Sequence, residues 1–112
     1  KGEKKIEDLN WADLFILPSY NEGLPIAILE AMSYSMPIIS TNVGGIPEVV
    51  KTDVNGKLID AGDLRAIKQS IDYYIKNRNQ IRVHGEGSMK LVSPFLPEVV
   101  FETLNSVYKS LL

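Results

Sequence analysis

Residues 14–41, "LFILPSYNEGLPIAILEAMSYSMPIIST", hold two short apolar runs separated by a stretch with a different period. The runs "LFILP" (14–18) and "PIIST" (37–41) lack the polar alternation of a sheet with one wet face, which is how strands buried on both sides of a parallel sheet read. Residues 25–34 between them carry apolar side chains at helical spacing, and Pro25 suits the first helical position. A strand, a helix and a second strand in that order make a parallel crossover unit. Working outward, "IPEVV" after "NVGG" predicts a short helical turn and "KLID" (57–60) a third strand. From Asp63 to about Asn79 a helix is expected, capped by Asp63, with Leu64, Ile67, Ile71, Tyr74 and Ile75 along one stripe. "NQIRVHGEGSMKLV" (79–92) predicts a further helix, broken or frayed at Gly85 and Gly87 and ended by Pro94. A last helix is expected from Pro97, with Val100, Leu104, Val107, Tyr108 and Leu111 inward.

The fold class is therefore α/β, part of a doubly wound, Rossmann-like parallel sheet. Three such strands leave the first with a hydrophobic edge unless another strand pairs with it. Residues 1–112 are thus expected to be the carboxyl-terminal portion of a longer domain. The 112 residues, 45% of them hydrophobic, suffice for a core of their own. A net charge of −2 offers no basic field for nucleic acid or an anionic membrane, so a bound phosphate must be held by local geometry. No cysteine is present, which excludes disulfide and thiolate chemistry within these residues. No apolar run is long enough to span a bilayer and residues 1–12 are too charged for a signal peptide, so a cytoplasmic location is expected.

In open α/β sheets ligands bind beyond the carboxyl ends of the strands, where "SYNEGLP" connects the first strand to its helix. With Pro25 in the first helical position, the cap is Leu24, whose side chain has no oxygen for the N–H groups of the first turn. Those donors, the helix dipole and the bare Gly23 make an anion site suited to phosphate. Glu22 just outside it suits sugar hydroxyls. Glu30, about 40° from Ile26 on the helical wheel, sits at the rim of the broad face of Ile26, Ile28, Leu29 and Met32, with the small Ala27 and Ala31 beyond it. Two adjacent ribose hydroxyls would satisfy its two oxygens. The residues alone leave the plainer reading open, with Glu22 a favourable charge at a helix start and Glu30 in a surface ion pair.

"PSYNEGLPIAILEAM", followed in order by "PIISTNVGGIPEVV" and "NGKLIDAGD", resembles the donor-binding half of the family 4, or group 1, retaining glycosyltransferases of the GT-B fold. That family has two glutamates separated by seven residues, matched here by Glu22 and Glu30. The resemblance implies a catalytic-site role for Glu22, which would contact hydroxyls of the donor sugar. It places the backbone of Gly23, Leu24 and Ile26 against sugar and diphosphate, and the ribose of a nucleotide-diphospho-sugar against Glu30. It further implies transfer of a hexose-type sugar with retention to a glycan or lipid-linked acceptor, as in capsular and other polysaccharide biosynthesis. No cofactor or metal is expected, the nucleotide-sugar being a substrate. The amino-terminal acceptor domain would lie outside these residues and could bring the enzyme to the inner face of the membrane. The fragment alone is expected to be inactive. Two departures stand out: many members have glycine where this chain has Pro25, which lacks an N–H, and glycine commonly ends the helix where Ser35 stands. The rival expectation is a non-catalytic module that binds a phosphorylated ligand or a partner.

Gly44 and Gly45 could line the same cleft or form an ordinary tight turn. Glu48 reads as a first-turn charge, and Thr41 and Asn42 as weaker ligand contacts. His84, the only histidine, is expected to be a solvated surface residue, and Tyr73 and Tyr74 to pack as core and rim. Asp60 and Asp63 lack a third ligand for a metal. Neither a G-x-G-x-x-G fingerprint nor a P-loop occurs.

Overall fold

The computed structural model describes residues 14–18 and 26–97. In order these form β1 (Phe15–Leu17), α1 (Ile26–Ser33), β2 (Ile38–Thr41), a 3-10 turn (Ile46–Glu48), β3 (Gly56–Ile59), α2 (Leu64–Lys76), α3 (Asn79–Val92) and a second 3-10 turn (Ser93–Phe95). The strands make one parallel sheet in the order β1-β2-β3, so the expected α/β crossover architecture is present. Leu96 and Pro97 are helical, while Val100, Leu104, Val107, Tyr108 and Leu111 lie outside the described residues.

Register assigns the two faces of the sheet. Phe15 pairs with Ile38 and Leu17 with Ser40, and across the other side of β2, Ser40 pairs with Leu58. These rows face α1 and the first 3-10 turn, where Ile28, Leu29, Ala31, Met32, Ile38, Ile46, Val49, Val50 and Val92 form the larger core, joined by Phe15, Leu17 and Leu58. The intervening row, Ile16, Ile39 and Lys57, faces α2, where Leu14, Ile39 and Tyr74 form a smaller core. Because β2 is covered on both faces, all four of its residues are buried, which is why "IIST" carries no alternation. β3 begins one residue earlier than expected because Gly56 belongs to the ladder. A Cβ there would stand 1.8 Å from the Ile38 carbonyl oxygen, so only glycine permits this pairing.

The end of α1 explains the Ser35 departure. Ser35 adopts the left-handed conformation, φ 60°, with its N–H donating to the Met32 carbonyl and the Met36 N–H to that of Ala31. Those two bonds are a Schellman cap, with Met36 packed back on the larger core. Serine tolerates this backbone at a cost that glycine avoids.

Three expectations about the helices need correction. Asp63 does cap α2, its carboxylate accepting from the Ala66 N–H at 3.0 Å, but Leu64 is 76% exposed. It occupies the first helical position, ahead of the turns that reach the sheet, and the buried residues of α2 are Ser70 and Tyr74. Gly85 and Gly87 do not break α3, which is continuous. They are where its backbone touches the loops that enter β2 and β3: a Cβ on Gly85 would lie 2.2 Å from the Ser35 carbonyl oxygen, and one on Gly87 2.2 Å from that of Val54. Ser88, also buried, donates its hydroxyl to the Met36 carbonyl at 2.6 Å. His84 is buried at 2% exposure rather than solvated, because α3 turns the same face inward and Tyr74 supplies a partner for the ring. Tyr74 in the core and a half-buried Tyr73 agree with expectation.

Gly85→Ala should therefore destabilise the protein by about 2–3 kcal/mol through overpacking against backbone. Ser35→Gly should stabilise it by about 0.5–1 kcal/mol by relieving the left-handed serine. Denaturant midpoints of the two variants check both directions.

Candidate functional site

The carboxyl edge of the sheet is formed by the ends of β1, β2 and β3 at Leu17, Thr41 and Ile59. Helix α1, following β1 and returning antiparallel to it, begins at this edge. Ile26 opens the helix, half-buried, its side chain packed on the larger core. An N–H in the first turn has no acceptor inside the helix, so that of Ile26 is aimed out of the edge. Glu30 lies one turn further, about 6 Å along the axis.

The position of Glu30 on the helix differs from the sequence reading. The buried arc of α1 consists of Ile28, Leu29, Ala31 and Met32, so Ala31 is core, not a small residue beyond the rim, while Ala27 is exposed. At about 100° per residue Glu30 falls roughly opposite the middle of that arc. The carboxylate is thus directed away from the sheet, yet Glu30 is only half-exposed. Ser33 donates its hydroxyl to the Glu30 carbonyl at 2.6 Å.

Gly44 and Gly45 follow β2 at the same edge. Asn42 is held to β3 through its N–H to the Ile59 carbonyl, and the chain then turns sharply, with the Val43 N–H on the Thr41 carbonyl. Gly44 has φ 55° and is exposed, so the turn favours glycine and also presents bare backbone to solvent. Gly45 precedes the 3-10 turn, accepting from the Glu48 N–H, and Glu48 itself is exposed, as a first-turn charge would be. Thr41 is buried and Asn42 exposed.

Ile26, Gly44 and Gly45 therefore lie at the carboxyl edge of the sheet, with Glu30 one turn into α1 on the side of the helix turned from the sheet. Glu22, Gly23, Leu24 and Pro25 lie outside the described residues. Ser40, which the sequence reading did not single out, belongs to the same edge. It is fully buried and donates its hydroxyl at 2.6 Å to the carbonyl of Leu17, where β1 ends. A hydroxyl closing an otherwise apolar run was the available signal. Asn55 was also missed: wholly buried, it accepts from the Lys51 N–H at 2.7 Å and donates to the Val49 carbonyl at 3.0 Å, shaping the loop before β3.

Asp60 and Asp63 are exposed at the end of β3, Asp63 occupied as a cap. Among the described residues no three His, Cys, Asp or Glu side chains converge to hold a metal ion. Nor is any helix of the described residues long and apolar enough to cross a membrane.

Residues 2–89 match the family of glycosyl transferases group 1. The chain is 29% identical over 104 residues to the capsular polysaccharide biosynthesis glycosyltransferase CapM of Staphylococcus aureus, covering 92% of this chain and 27% of that protein. It is 45% identical over 56 residues to an Escherichia coli UDP-Gal:alpha-D-GlcNAc-diphosphoundecaprenol alpha-1,3-galactosyltransferase, covering 50% of this chain and 14% of that one. The crystal structure of Anabaena HepE in complex with UDP-glucose superposes with a TM-score of 0.70 at 25% identity, over 84% of this chain and 28% of HepE. The chain thus spans less than a third of the length of each of these proteins. With the family match running through most of its length, this chain belongs to the group 1 glycosyl transferases.

Proposed function

We propose that the chain is the carboxyl-terminal part of the donor-binding domain of a retaining, GT-B glycosyltransferase that takes its sugar from a nucleotide-diphospho-sugar. The observation that carries this reading is the placing of the opening of α1 and of the Gly44–Gly45 turn at the carboxyl edge of a parallel sheet, with Glu30 one turn into that helix. That edge is where open α/β sheets bind nucleotides. In this reading the backbone N–H groups of Gly23, Leu24 and Ile26, with the positive end of the helix dipole, meet the sugar and the diphosphate. Glu30, one turn below, accepts both ribose hydroxyls with its two carboxylate oxygens. Glu22 accepts hydroxyls of the sugar and fixes its anomeric carbon toward the acceptor. The exposed backbone at Gly44 and the half-buried backbone at Gly45 let the donor approach without a side-chain clash.

The chemical task of these groups is to hold the leaving nucleoside diphosphate. Negative charge grows on the diphosphate as the glycosidic bond breaks, so donors fixed in advance stabilise the transition state more than the bound substrate. Amides and a helix dipole supply this without a metal ion. The relatives suggest the rest: UDP is the first nucleotide to try, since HepE was crystallised with UDP-glucose. A glycan or lipid-linked acceptor is suggested by the names of CapM and of the galactosyltransferase that acts on a diphosphoundecaprenol-linked sugar. A lipid-linked acceptor would bring a cytoplasmic enzyme to the inner face of the membrane. The side of β1 away from β2, unpaired among the described residues, would take a strand from the preceding half of the donor domain.

Glu30→Ala in the full-length enzyme should weaken UDP binding by about 1.5–3 kcal/mol, the loss of charge-assisted bonds to ribose. Calorimetry reads it, with GDP and ADP as alternatives. Glu22→Gln should leave UDP affinity unchanged and lower kcat by about 10²-fold, because its contacts are to the sugar. Glycosyl transfer unchanged in Glu22→Gln would contradict the role given to Glu22, whereas nucleotide binding without any transfer in the full-length wild type would favour the non-catalytic module. Treatment with a chelator should leave transfer undiminished, and a rate restored only by added divalent cation would contradict the metal-free reading.

A further inference from the structure

Away from the donor edge, α2, α3 and β3 meet in a cluster of polar and aromatic groups that the glycosyl-transfer reading does not use. The Tyr74 hydroxyl lies 2.6 Å from His84 Nδ1, with Tyr74 fully buried and His84 nearly so. The imidazole stands edge-on to Tyr74, centroids 5.5 Å apart, and parallel to Tyr73 at 6.3 Å. Lys57 of β3 places its ammonium 3.9 Å from the centre of the Tyr73 ring and is ion-paired with Asp53. Arg82 and Glu86, two residues to either side of His84 on α3, pair with each other in solvent.

We propose that the Tyr74–His84 hydrogen bond is a pH-sensitive latch, which holds the α2–α3 corner closed while the imidazole is neutral and loosens it when the ring takes up a proton. His84 is the only partner that the described residues give the Tyr74 hydroxyl, so its proton goes to Nδ1 and the neutral ring carries its own proton on Nε2. A protonated ring cannot accept. The buried hydroxyl proton then loses its acceptor, which is expensive in a dry site. A second cation also appears beside a tyrosine ring that already carries Lys57, and Asp53, engaged by Lys57, compensates only in part.

The titration directions agree with this geometry. Burial first, then the charge of Lys57, hold His84 below its ordinary value of 6.5, with Asp53 opposing more weakly. Burial pushes the Tyr74 hydroxyl up, so it keeps its proton throughout. A base depressed in the folded state contributes stability that is complete above 6.5 and is lost as pH falls through the folded value. Asp53 is itself held below 3.8 by Lys57, so its own titration falls in a separate, more acidic window.

Hydrogen exchange of the full-length protein, followed on peptides within residues 64–92 and corrected for intrinsic rates, reads the latch at about pH 7.5 and about pH 5.5. Protection in the wild type should fall severalfold at the lower pH, while peptides of α1 hold theirs. His84→Gln keeps a neutral acceptor for Tyr74 and cannot titrate, so its protection should be the same at both pH values. His84→Leu, which has neither an acceptor nor a titratable group, should also be flat with pH, whatever its overall stability. Equal losses in the wild type and in either variant, or no loss in the wild type, would overturn the proposal.

Discussion

The close approach of α3 to the loops that feed β2 and β3 is the contact on which the rest of the fold depends. Two positions without side chains, Gly85 and Gly87, let helix backbone meet the carbonyls of Ser35 and Val54, and the Ser88 hydroxyl ties the same helix to Met36. A helix that packs backbone to backbone fixes its neighbour within a narrow distance, because no flexible side chain can take up the error. The entry points of two strands are thereby set against one another, and the register of the sheet carries that alignment to the opposite edge, where Leu17, Thr41 and Ile59 end together. Precision at the amino edge thus serves the carboxyl edge.

The two edges differ in what they spend their polar groups on. At the amino edge the buried hydrogen-bonding groups are matched internally: Asn55 by Lys51 and Val49, Ser88 by Met36, Tyr74 by His84. At the carboxyl edge Asn42 and Gly44 are exposed, and helix α1 starts with N–H groups that its own turns cannot satisfy. Unmet donors and bare backbone are costly in a packed interior but useful against a charged ligand. The chain's net charge of −2 gives such a ligand no long-range attraction, so the site must act through short, directed contacts. Glu30 fits this division of labour, since it projects from the side of α1 that the core does not use.

The sequence made some of this legible and concealed the rest for identifiable reasons. Buried strands announced themselves because "LFIL" and "PIIST" lack alternation, and Asp63 because a carboxylate before an apolar stripe has a local job. The short turn at "IPEVV" was visible for the same reason, its Ile46, Val49 and Val50 all proving buried. The fate of His84 was not local: its burial depends on Tyr74 ten residues earlier and on Lys57 in another strand. Gly85 and Gly87 misled because intrinsic propensity penalises glycine in a helix, whereas tertiary contact selected it. Leu64 and Ala31 show the limit of a helical wheel, which supplies spacing but not the place where the stripe meets the sheet. As for the candidate site, Ile26, Gly44 and Gly45 lie at the carboxyl edge, Glu30 stands one turn into α1, and the remainder of the motif lies outside the described residues.

A crystal structure of the full-length enzyme with its nucleotide-sugar donor bound tests the central claim most directly. The account predicts both ribose hydroxyls within hydrogen-bond distance of the Glu30 carboxylate and the diphosphate against the amino end of α1, beside Gly44 and Gly45. A nucleotide bound at any other edge of the sheet, or a Glu30 carboxylate turned from the ribose toward a protein partner, would contradict it.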